Sequence, residues 1–340
     1  MSKDNKKACK YTSIGGQALI EGILMKSPEK TAMAVRLPDG NIDITYMNEK
    51  SIKEKCKIFA LPVIRGVVGF VESMLSGYKA LMLSADKSGF ADEVDEETGE
   101  VKKLGNTAWS VIMIVAVILA LLLSVGLFMY LPRLAVSGLL WLFKMEAFPK
   151  IVNSLIEQGI KLTVFLAYII GVSYMKDIRR VFSYHGAEHK TIFCYEAKLP
   201  LTVENARKQK RFHPRCGTSF MVLMILISVI FSTLAQVLFI GIYENAIIWT
   251  VIKVAMVPLI CGVGYEVLKL CGKYDNALTR IISAPGVWVQ RITTKEPDDS
   301  MLEIAIAALG AVLSEEDKEK YLPKENENEV TEEEQRNDNI

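Results

Sequence analysis

One window of this sequence restricts the fold more than any other: residues 108–131 contain no charged side chain. A helix needs about 20 consecutive apolar residues to cross a hydrocarbon core of roughly 30 Å. Windows of this length and polarity are typical of transmembrane helices rather than of soluble cores. The sequence therefore predicts an all-α integral membrane protein.

Three later windows are also long and mostly apolar, so about four transmembrane helices are expected, at 108–131, 155–175, 220–240 and 246–268. The segment 58–90 is also apolar, but it carries Arg65, Glu72 and Lys79 at seven-residue spacing. This spacing puts the three charges on one face of a helix. Burying all three in lipid is costly, so an amphipathic interfacial helix is predicted there.

Lysine and arginine set the expected orientation, because they concentrate in cytosolic connections. They are dense in the N-terminal region and in the connection 176–219, whereas 241–245 contains none. Four spans then place both termini and the 176–219 loop in the cytosol. Lys161 and Lys253 fall inside two of the spans and are expected to extend toward the interface.

Outside the spans, short regular elements are expected, among them an apolar helix at 300–313 whose start is capped by 297–300. In the N-terminal segment 1–57, two β-prone runs at 32–36 and 42–46 flank Pro38-Asp39-Gly40, which predicts a small cytosolic β-hairpin. The other segments are predicted to be cytosolic: an acidic linker (91–107), a C-terminal segment (269–313) and a disordered acidic tail (314–340).

All three histidines of the chain lie in the 176–219 loop, and two of them form an H-x-x-E-H motif. If this segment is helical, His185 and His189 share one face about 5–6 Å apart, which suits two imidazoles on one divalent ion. Glu188 adjoins His189 and can face a metal-bound water. The inverted zinc peptidases use the glutamate of the same motif as a general base.

His213 and Cys216 are two further candidate ligands, separated by the two-residue spacer common at zinc sites. With a thiolate in the set, the divalent metal that fits best is zinc. If all four residues bind, the site is closed and structural, and Glu188 only orients a histidine. If three bind, a position stays open and Glu188 can activate water. The sequence is compatible with both arrangements.

Glu21, Arg215 and Glu266 are candidates for the metal's surroundings or for substrate contact. Glu21 is either an exposed acid at the edge of an element or an acid directed at the histidines. Glu266, near the cytosolic end of the fourth span, either pairs with Lys269 or Arg215 or serves the metal site from below. Arg215 either binds an anionic substrate or lipid headgroup or screens nearby acids. The Gly-Gly pair at 15–16 predicts a close approach to the backbone.

Four motifs in this order resemble the YqhQ-type bacterial membrane proteins: GGQALIEG (15–22), YHGAEHK (184–190), HPRCGTSF (213–220) and SAPG (283–286). The resemblance covers roughly residues 11–310, and Leu24-Met25-Lys26-Ser27 departs slightly from the Met-Met-Arg-Gly associated with the first motif. It implies a multi-pass protein of the bacterial cytoplasmic (inner) membrane and a predicted metal-dependent enzyme without an established substrate.

Two functions of different classes follow. The first is a cytosol-facing, metal-dependent enzyme of hydrolase type, with Glu188 as its base. The second is a non-enzymatic membrane scaffold or biogenesis factor in which a structural zinc fastens the cytosolic loop. A transporter is less favoured because the spans carry few polar residues. Membrane lipid and other membrane proteins are the expected partners, and no nucleic acid is expected.

Overall fold

The computed structural model of this chain describes residues 12–47, 57–90, 93–94, 101–102, 106–238, 245–274 and 276–323. Its helices in chain order are α1 (Ile64–Lys87), α2 (Asn106–Val125), α3 (Leu131–Leu142), α4 (Lys150–Val172), α5 (Lys176–Glu196), α6 (Val203–Arg207), α7 (Gly217–Leu238), α8 (Ala246–Lys273), α9 (Ala277–Thr293), α10 (Asp299–Val312) and α11 (Glu315–Tyr321). The fold is therefore mostly helical. A short 3-10 turn, Lys57–Ala60, precedes α1.

The N-terminal segment forms an antiparallel sheet of four strands, β1 (Gly15–Leu19), β2 (Gly22–Lys26), β3 (Thr31–Arg36) and β4 (Ile42–Tyr46), in that order. The predicted hairpin is β3–β4, in which Arg36 pairs with Ile42. Gly40 in its turn has φ 89°, a conformation that glycine adopts at little cost. The sheet is larger than the predicted hairpin, because β1 and β2 add a second one around Ile20 and Glu21.

Helices cover this sheet on both faces. Ile23 and Ala34 face α5 and α10 in the largest apolar core, and Leu24 and Met33 face α1. A strand buried on both faces is apolar throughout and lacks the alternation by which strands are recognised in a sequence. This explains why β2 reads as a featureless apolar run.

Four helical stretches in the described part of the chain are long and apolar enough to cross a membrane: Ile114–Leu142, Ile151–Val172, Gly217–Ala235 and Ile248–Cys271. They correspond to the four predicted spans, with one correction: the first helical path does not end before Pro132. A π-helical turn, Gly126–Tyr130, joins α2 directly to α3. Pro132 lies directly after this turn, as the second residue of α3.

Three segments far apart in sequence form one compact body, which we call the sheet unit: residues 12–47, α5–α6 and α10–α11. Tyr184, Leu201 and Leu309 are fully buried in its shared core. The structure of this unit also corrects two predictions, the first for the 176–219 connection and the second for the acidic tail. The 176–219 connection is mainly helical rather than a loop.

The acidic tail, predicted to be disordered from residue 314, begins with the helix α11. Tyr321 in α11 is buried, and its carbonyl accepts a 2.7 Å hydrogen bond from the N–H of Leu201. Residues 324–340 of that tail lie outside the described residues. So does most of the predicted 91–107 linker, in which the two short strands β5 (Glu93–Val94) and β6 (Val101–Lys102) pair.

Helix α1 joins the sheet unit to α8. Gly66 and Gly262 lie at the crossing, where a Cβ on Gly66 would come within 3.0 Å of the Gly262 Cα. Beside them Arg65 holds Glu266 with two hydrogen bonds of 2.7 and 2.5 Å. Glu266 therefore pairs with neither predicted partner and does not belong to the predicted metal site, because α1 brings a closer cation to it.

A buried ionic cluster lies between α4 and α8. Glu157, whose side chain is 5% exposed, accepts from Lys253 at 2.7 Å and pairs with Lys161 at 3.1 Å. The two lysines therefore do not simply extend to the interface as expected, since a carboxylate within the helix bundle binds both. Nearby, the hydroxyl groups of Ser154 and Thr233 are 3.1 Å apart and link α4 to α7.

Candidate metal centre

Helix α5 carries the H-x-x-E-H motif in its most buried stretch. The helix lies between β1 and α10, and residues Tyr184 and Gly186 to Ile192 are buried. Its sequence is polar for a buried helix, so packing within the sheet unit, rather than an apolar stripe, determines its position. His185 and His189 are one turn apart on the same face, as the spacing predicts.

The structure brings together three of the four predicted ligands. One ligand atom each from His185, His189 and Cys216 lies within 4.8 Å of the other two. The Nε2 of His185 is 3.0 Å from the Sγ of Cys216. Zinc binds nitrogen at about 2.0–2.1 Å and sulfur at about 2.3 Å. Three donor atoms this close together are compatible with a single ion.

Backbone carbonyls orient both imidazoles. The Nδ1 of His185 is 2.8 Å from the carbonyl oxygen of Thr293, and the Nδ1 of His189 is 2.5 Å from that of Arg211. A neutral ring that donates from Nδ1 keeps its lone pair on Nε2. Metal-binding histidines are usually held in this way by an acceptor on the far nitrogen. Both rings are therefore arranged to present Nε2 to the cluster.

Cys216 immediately precedes α7, and the N–H of Thr218 lies 3.4 Å from its Sγ. A helix N-terminus favours a thiolate, which is the form that binds metals. Burial by itself raises the pKa of Cys216, but His185 and His189 together hold that pKa well below its usual value. The pKa of His185 is correspondingly raised by the thiolate, against the opposing effect of its own burial.

Glu188 lies beside the cluster without belonging to it. Its carboxyl group is buried and accepts a hydrogen bond from the backbone N–H of Gly16. Burial raises the pKa of Glu188, and His189 and His185 partly offset this effect. A Cβ on Gly16 would come within 3.0 Å of the carboxyl carbon. The close approach predicted at the glycine pair therefore includes this contact with Glu188, together with a closer one in which the same Cβ would lie 2.8 Å from the carbonyl oxygen of Leu24.

His213, the fourth predicted ligand, is not part of this group. Its Nε2 faces Glu196 at 3.5 Å, and its Nδ1 accepts from the N–H of Arg215 at 3.3 Å. The ring packs against Phe193, with ring centroids 4.6 Å apart. Burial lowers the pKa of His213, which favours a neutral ring.

Gln290, on α9, explains why His213 and Cys216 point in different directions. Its fully buried amide accepts from the N–H of His213 and donates to the carbonyl of His213, both at 2.7 Å. It also donates to Ser219 Oγ at 2.9 Å. These bonds fix both ends of the turn from residue 213 to α7. No sequence motif includes Gln290; the nearest one is S-A-P-G, whose Gly286 packs closely on Ser219.

The other two candidates hold α5 in place instead of lining the cluster. Glu21, in the β1–β2 turn, binds Arg180 and accepts from the hydroxyl of Tyr184 at 3.0 Å. Arg215 donates to Glu196 at 2.5 Å and to the carbonyl of Thr12 at 2.6 Å. The charges of both residues are therefore engaged within the protein.

A family comparison places these residues in a known context. A model of a family described as proteins of unknown function, DUF1385, matches residues 61–315. The chain belongs to the DUF1385 family. It is 33% identical over 302 residues to "Uncharacterized protein YqhQ" of Bacillus subtilis (strain 168), covering 88% of this chain and 92% of that protein. The resemblance predicted from four motifs is thus confirmed. No solved structure matches the chain.

Gly186 lies within the residues that match DUF1385. Its lack of a side chain allows α5 to approach the segment after α9. A Cβ at Gly186 would collide with the carbonyl oxygen of Lys295. The N–H of Lys295 donates a 2.8 Å hydrogen bond to the carbonyl oxygen of Phe182 in α5. The backbone of Lys295 is therefore held against α5 and cannot move away from a new Cβ. We expect Gly186→Ala to destabilise the protein by about 2–3 kcal/mol, as overpacking does. The thermal unfolding midpoint of the purified protein in detergent measures this.

Gly159→Ala is the matched control, because a Cβ at Gly159, also within a helix, meets nothing within 4 Å. There alanine should be neutral or stabilise by about 0.5–1 kcal/mol. Equal unfolding midpoints for the two variants would contradict the close contact between α5 and Lys295.

Proposed function

We propose that this chain is a metal-dependent protein of the bacterial cytoplasmic membrane, with a zinc centre of hydrolase type facing the cytosol. His185, His189 and Cys216 are its ligands, and Glu188 is the proton-transferring group beside it. One observation carries the proposal: three ligand atoms converge within 4.8 Å, and carbonyl oxygens hold both histidines with Nε2 toward the cluster.

The number of ligands favours a catalytic over a structural centre. Structural zinc sites use four protein ligands, whereas catalytic sites use three and keep one position open. Here the ring of His213 lies beside that of His189, with centroids 5.7 Å apart, but its Nε2 is directed at Glu196, which leaves three ligands whose atoms converge. A zinc ion held this way supplies Lewis-acid polarisation and a water of lowered pKa.

The roles of the chain's own residues follow from their contacts. Thr293 and Arg211 orient the two imidazoles through their carbonyl oxygens. Gly16 holds the buried carboxyl of Glu188 through its N–H. A buried carboxyl beside an open metal position is suited to accepting a proton from water and returning it to a leaving group.

The sheet unit supports the proposed topology. Because residues 12–47, α5–α6 and α10–α11 share one core, all three segments must lie on the same side of any membrane. The chain therefore crosses an even number of times between consecutive segments. Two candidate spans fall in each interval, which satisfies this condition if all four cross and α1 and α9 do not. The basic connection 176–219 then assigns this side to the cytosol.

Cobalt substitution tests the open position. In the full-length protein purified in detergent and loaded with Co²⁺, we expect added azide to change the visible absorption bands of the cobalt, because azide can occupy the fourth position. Glu188→Gln should still bind about one equivalent of cobalt and should still respond to azide, since its carboxyl is not a ligand.

An azide-insensitive spectrum would overturn the hydrolase-type proposal and identify a closed, structural metal, as the scaffold hypothesis requires. Loss of cobalt from Glu188→Gln would instead show that Glu188 is itself a ligand, and would overturn its assignment as the proton-transferring group.

A further inference from the structure

A second site lies where α4, α5 and α9 meet, near the metal centre but separate from it. A cavity of ≈ 270 Å³ opens there between the end of α4, the first turn of α5 and the end of α9. Three basic side chains line it: Arg179 from α5, Arg291 from α9 and Lys295 from the segment that follows. Tyr174 and Ile170 complete its α4 side.

The three cations lack the partners that their neighbours have. Arg180, beside Arg179, is paired with Glu21, and Lys190 and Arg211 both bind Glu296. By contrast, within the ranges that the structure describes, no carboxylate forms an ion pair with any of the three cavity cations, Arg179, Arg291 and Lys295. Three positive charges around one concave site favour an anion, and arginine binds phosphate oxygens in particular with paired hydrogen bonds.

The position of the cavity narrows the choice of anion. The candidate span of α4 ends at Val172, so Ile170 lies at its apolar end and Tyr174 just beyond it. Tyr174 is 82% exposed, and tyrosine is enriched where a membrane meets water. Pockets for drug-sized ligands occupy about 300–1,000 Å³, so this cavity suits a headgroup better than a whole lipid.

We propose that this cavity binds the phosphate headgroup of an anionic phospholipid from the cytosolic leaflet. Arg179, Arg291 and Lys295 neutralise the phosphate, Tyr174 lies at the level of the headgroups, and the acyl chains extend along α4 beside Ile170. This binding does not require the metal.

The location connects the lipid to the metal centre. The carbonyl of Thr293, which holds His185, follows directly after Ile292 in the cavity wall and precedes Lys295 by two residues. A lipid in the cavity therefore places its headgroup against the segment that orients a metal ligand.

Native mass spectrometry of the full-length protein in detergent tests the proposal, with short-chain phosphatidylglycerol, short-chain phosphatidylcholine and inorganic phosphate as separate probes. We expect phosphatidylglycerol to bind at least about tenfold more tightly than phosphatidylcholine. Arg291→Gln and Lys295→Gln should each weaken phosphatidylglycerol binding about tenfold, as the loss of a hydrogen bond to a charged group does. Phosphatidylcholine offsets its phosphate with its own choline cation, so its weaker binding should fall by less than that of phosphatidylglycerol.

Lys176→Gln is the matched control. Lys176 is an exposed cation at the same end of α4 but does not line the cavity, so its loss should change binding less than about twofold. If Lys176→Gln and Arg291→Gln weaken binding equally, the preference for phosphatidylglycerol comes from general surface charge. That result would overturn the proposal of a specific site in this cavity. Inorganic phosphate that binds as tightly as the lipid would overturn the lipid assignment and identify free phosphate as the ligand.

Discussion

Cys216→Ser and His189→Ala are expected to reduce the bound zinc from about one equivalent to less than about a tenth. Each substitution removes one of three donor atoms that lie within 4.8 Å of one another. Even outer residues that only orient a ligand typically change metal affinity by about 10–100-fold, so the loss of a ligand should exceed this range. Elemental analysis of the purified full-length protein, after dialysis against a chelator of moderate affinity, measures the effect.

His213→Asn is the informative comparison, because the sequence alone ranks His213 with the other three ligands. In the structure its Nε2 faces Glu196 and its ring packs on Phe193, although the ring centroid lies 5.7 Å from that of His189. The variant should therefore keep about one equivalent of zinc. If it loses as much zinc as Cys216→Ser does, the site has four ligands, and the open position on which the hydrolase-type proposal depends does not exist.

Glu157→Leu is expected to destabilise the helix bundle by about 3–5 kcal/mol, the usual cost of removing one partner from a buried ion pair. The carboxylate of Glu157 is bound by Lys253 at 2.7 Å, and the Lys253 side chain is only 13% exposed. Without Glu157 this ammonium group remains buried and uncompensated. The thermal midpoint in detergent, compared with that of the wild-type protein, measures the loss.

The double variant Glu157→Leu, Lys253→Met separates the lost pair from the lost packing. Replacing both members of a buried pair by apolar side chains is often neutral, so the double variant should recover most of the stability. Lys161 is more exposed and can turn toward the interface. A double variant less stable than Glu157→Leu alone would show that the lysine stabilises the bundle independently of its carboxylate.

The sequence predicts those parts of the fold that depend on local pattern. The four apolar helices follow from long windows with few or no charges, and the β3–β4 hairpin follows from Pro38-Asp39-Gly40. Helix α5 is predicted only as a loop, because its polar sequence carries no apolar stripe and is buried by contacts with β1 and α10 from distant parts of the chain. Helix α11 is missed for the same reason, since Tyr321 is buried by a partner more than a hundred residues away.

The candidate site was accessible from the sequence because histidine is scarce here and the spacing of His185 and His189 fits a helix. The sequence does not show in which direction each of these side chains points. Gln290 fixes the turn that separates His213 from Cys216, although it lies 77 residues from His213. Glu266 pairs with Arg65, which lies 201 residues earlier in the chain, and no local sequence pattern predicts that pair.

The order in which the sheet unit is assembled constrains how a cell can make this protein. A ribosome delivers the chain from the N-terminus, so strands β1 to β4 are finished long before α10, which covers one of their faces. Under the proposed topology, four hydrophobic helices must be inserted in between. Until residues 299–312 emerge, only α5 can cover the face of Ile23 and Ala34, and Thr293 reaches His185 only at a similarly late stage. Maturation of the proposed metal centre is therefore expected to follow membrane insertion. A nascent chain that stalls earlier would expose the apolar face of an incomplete sheet to cytosolic chaperones.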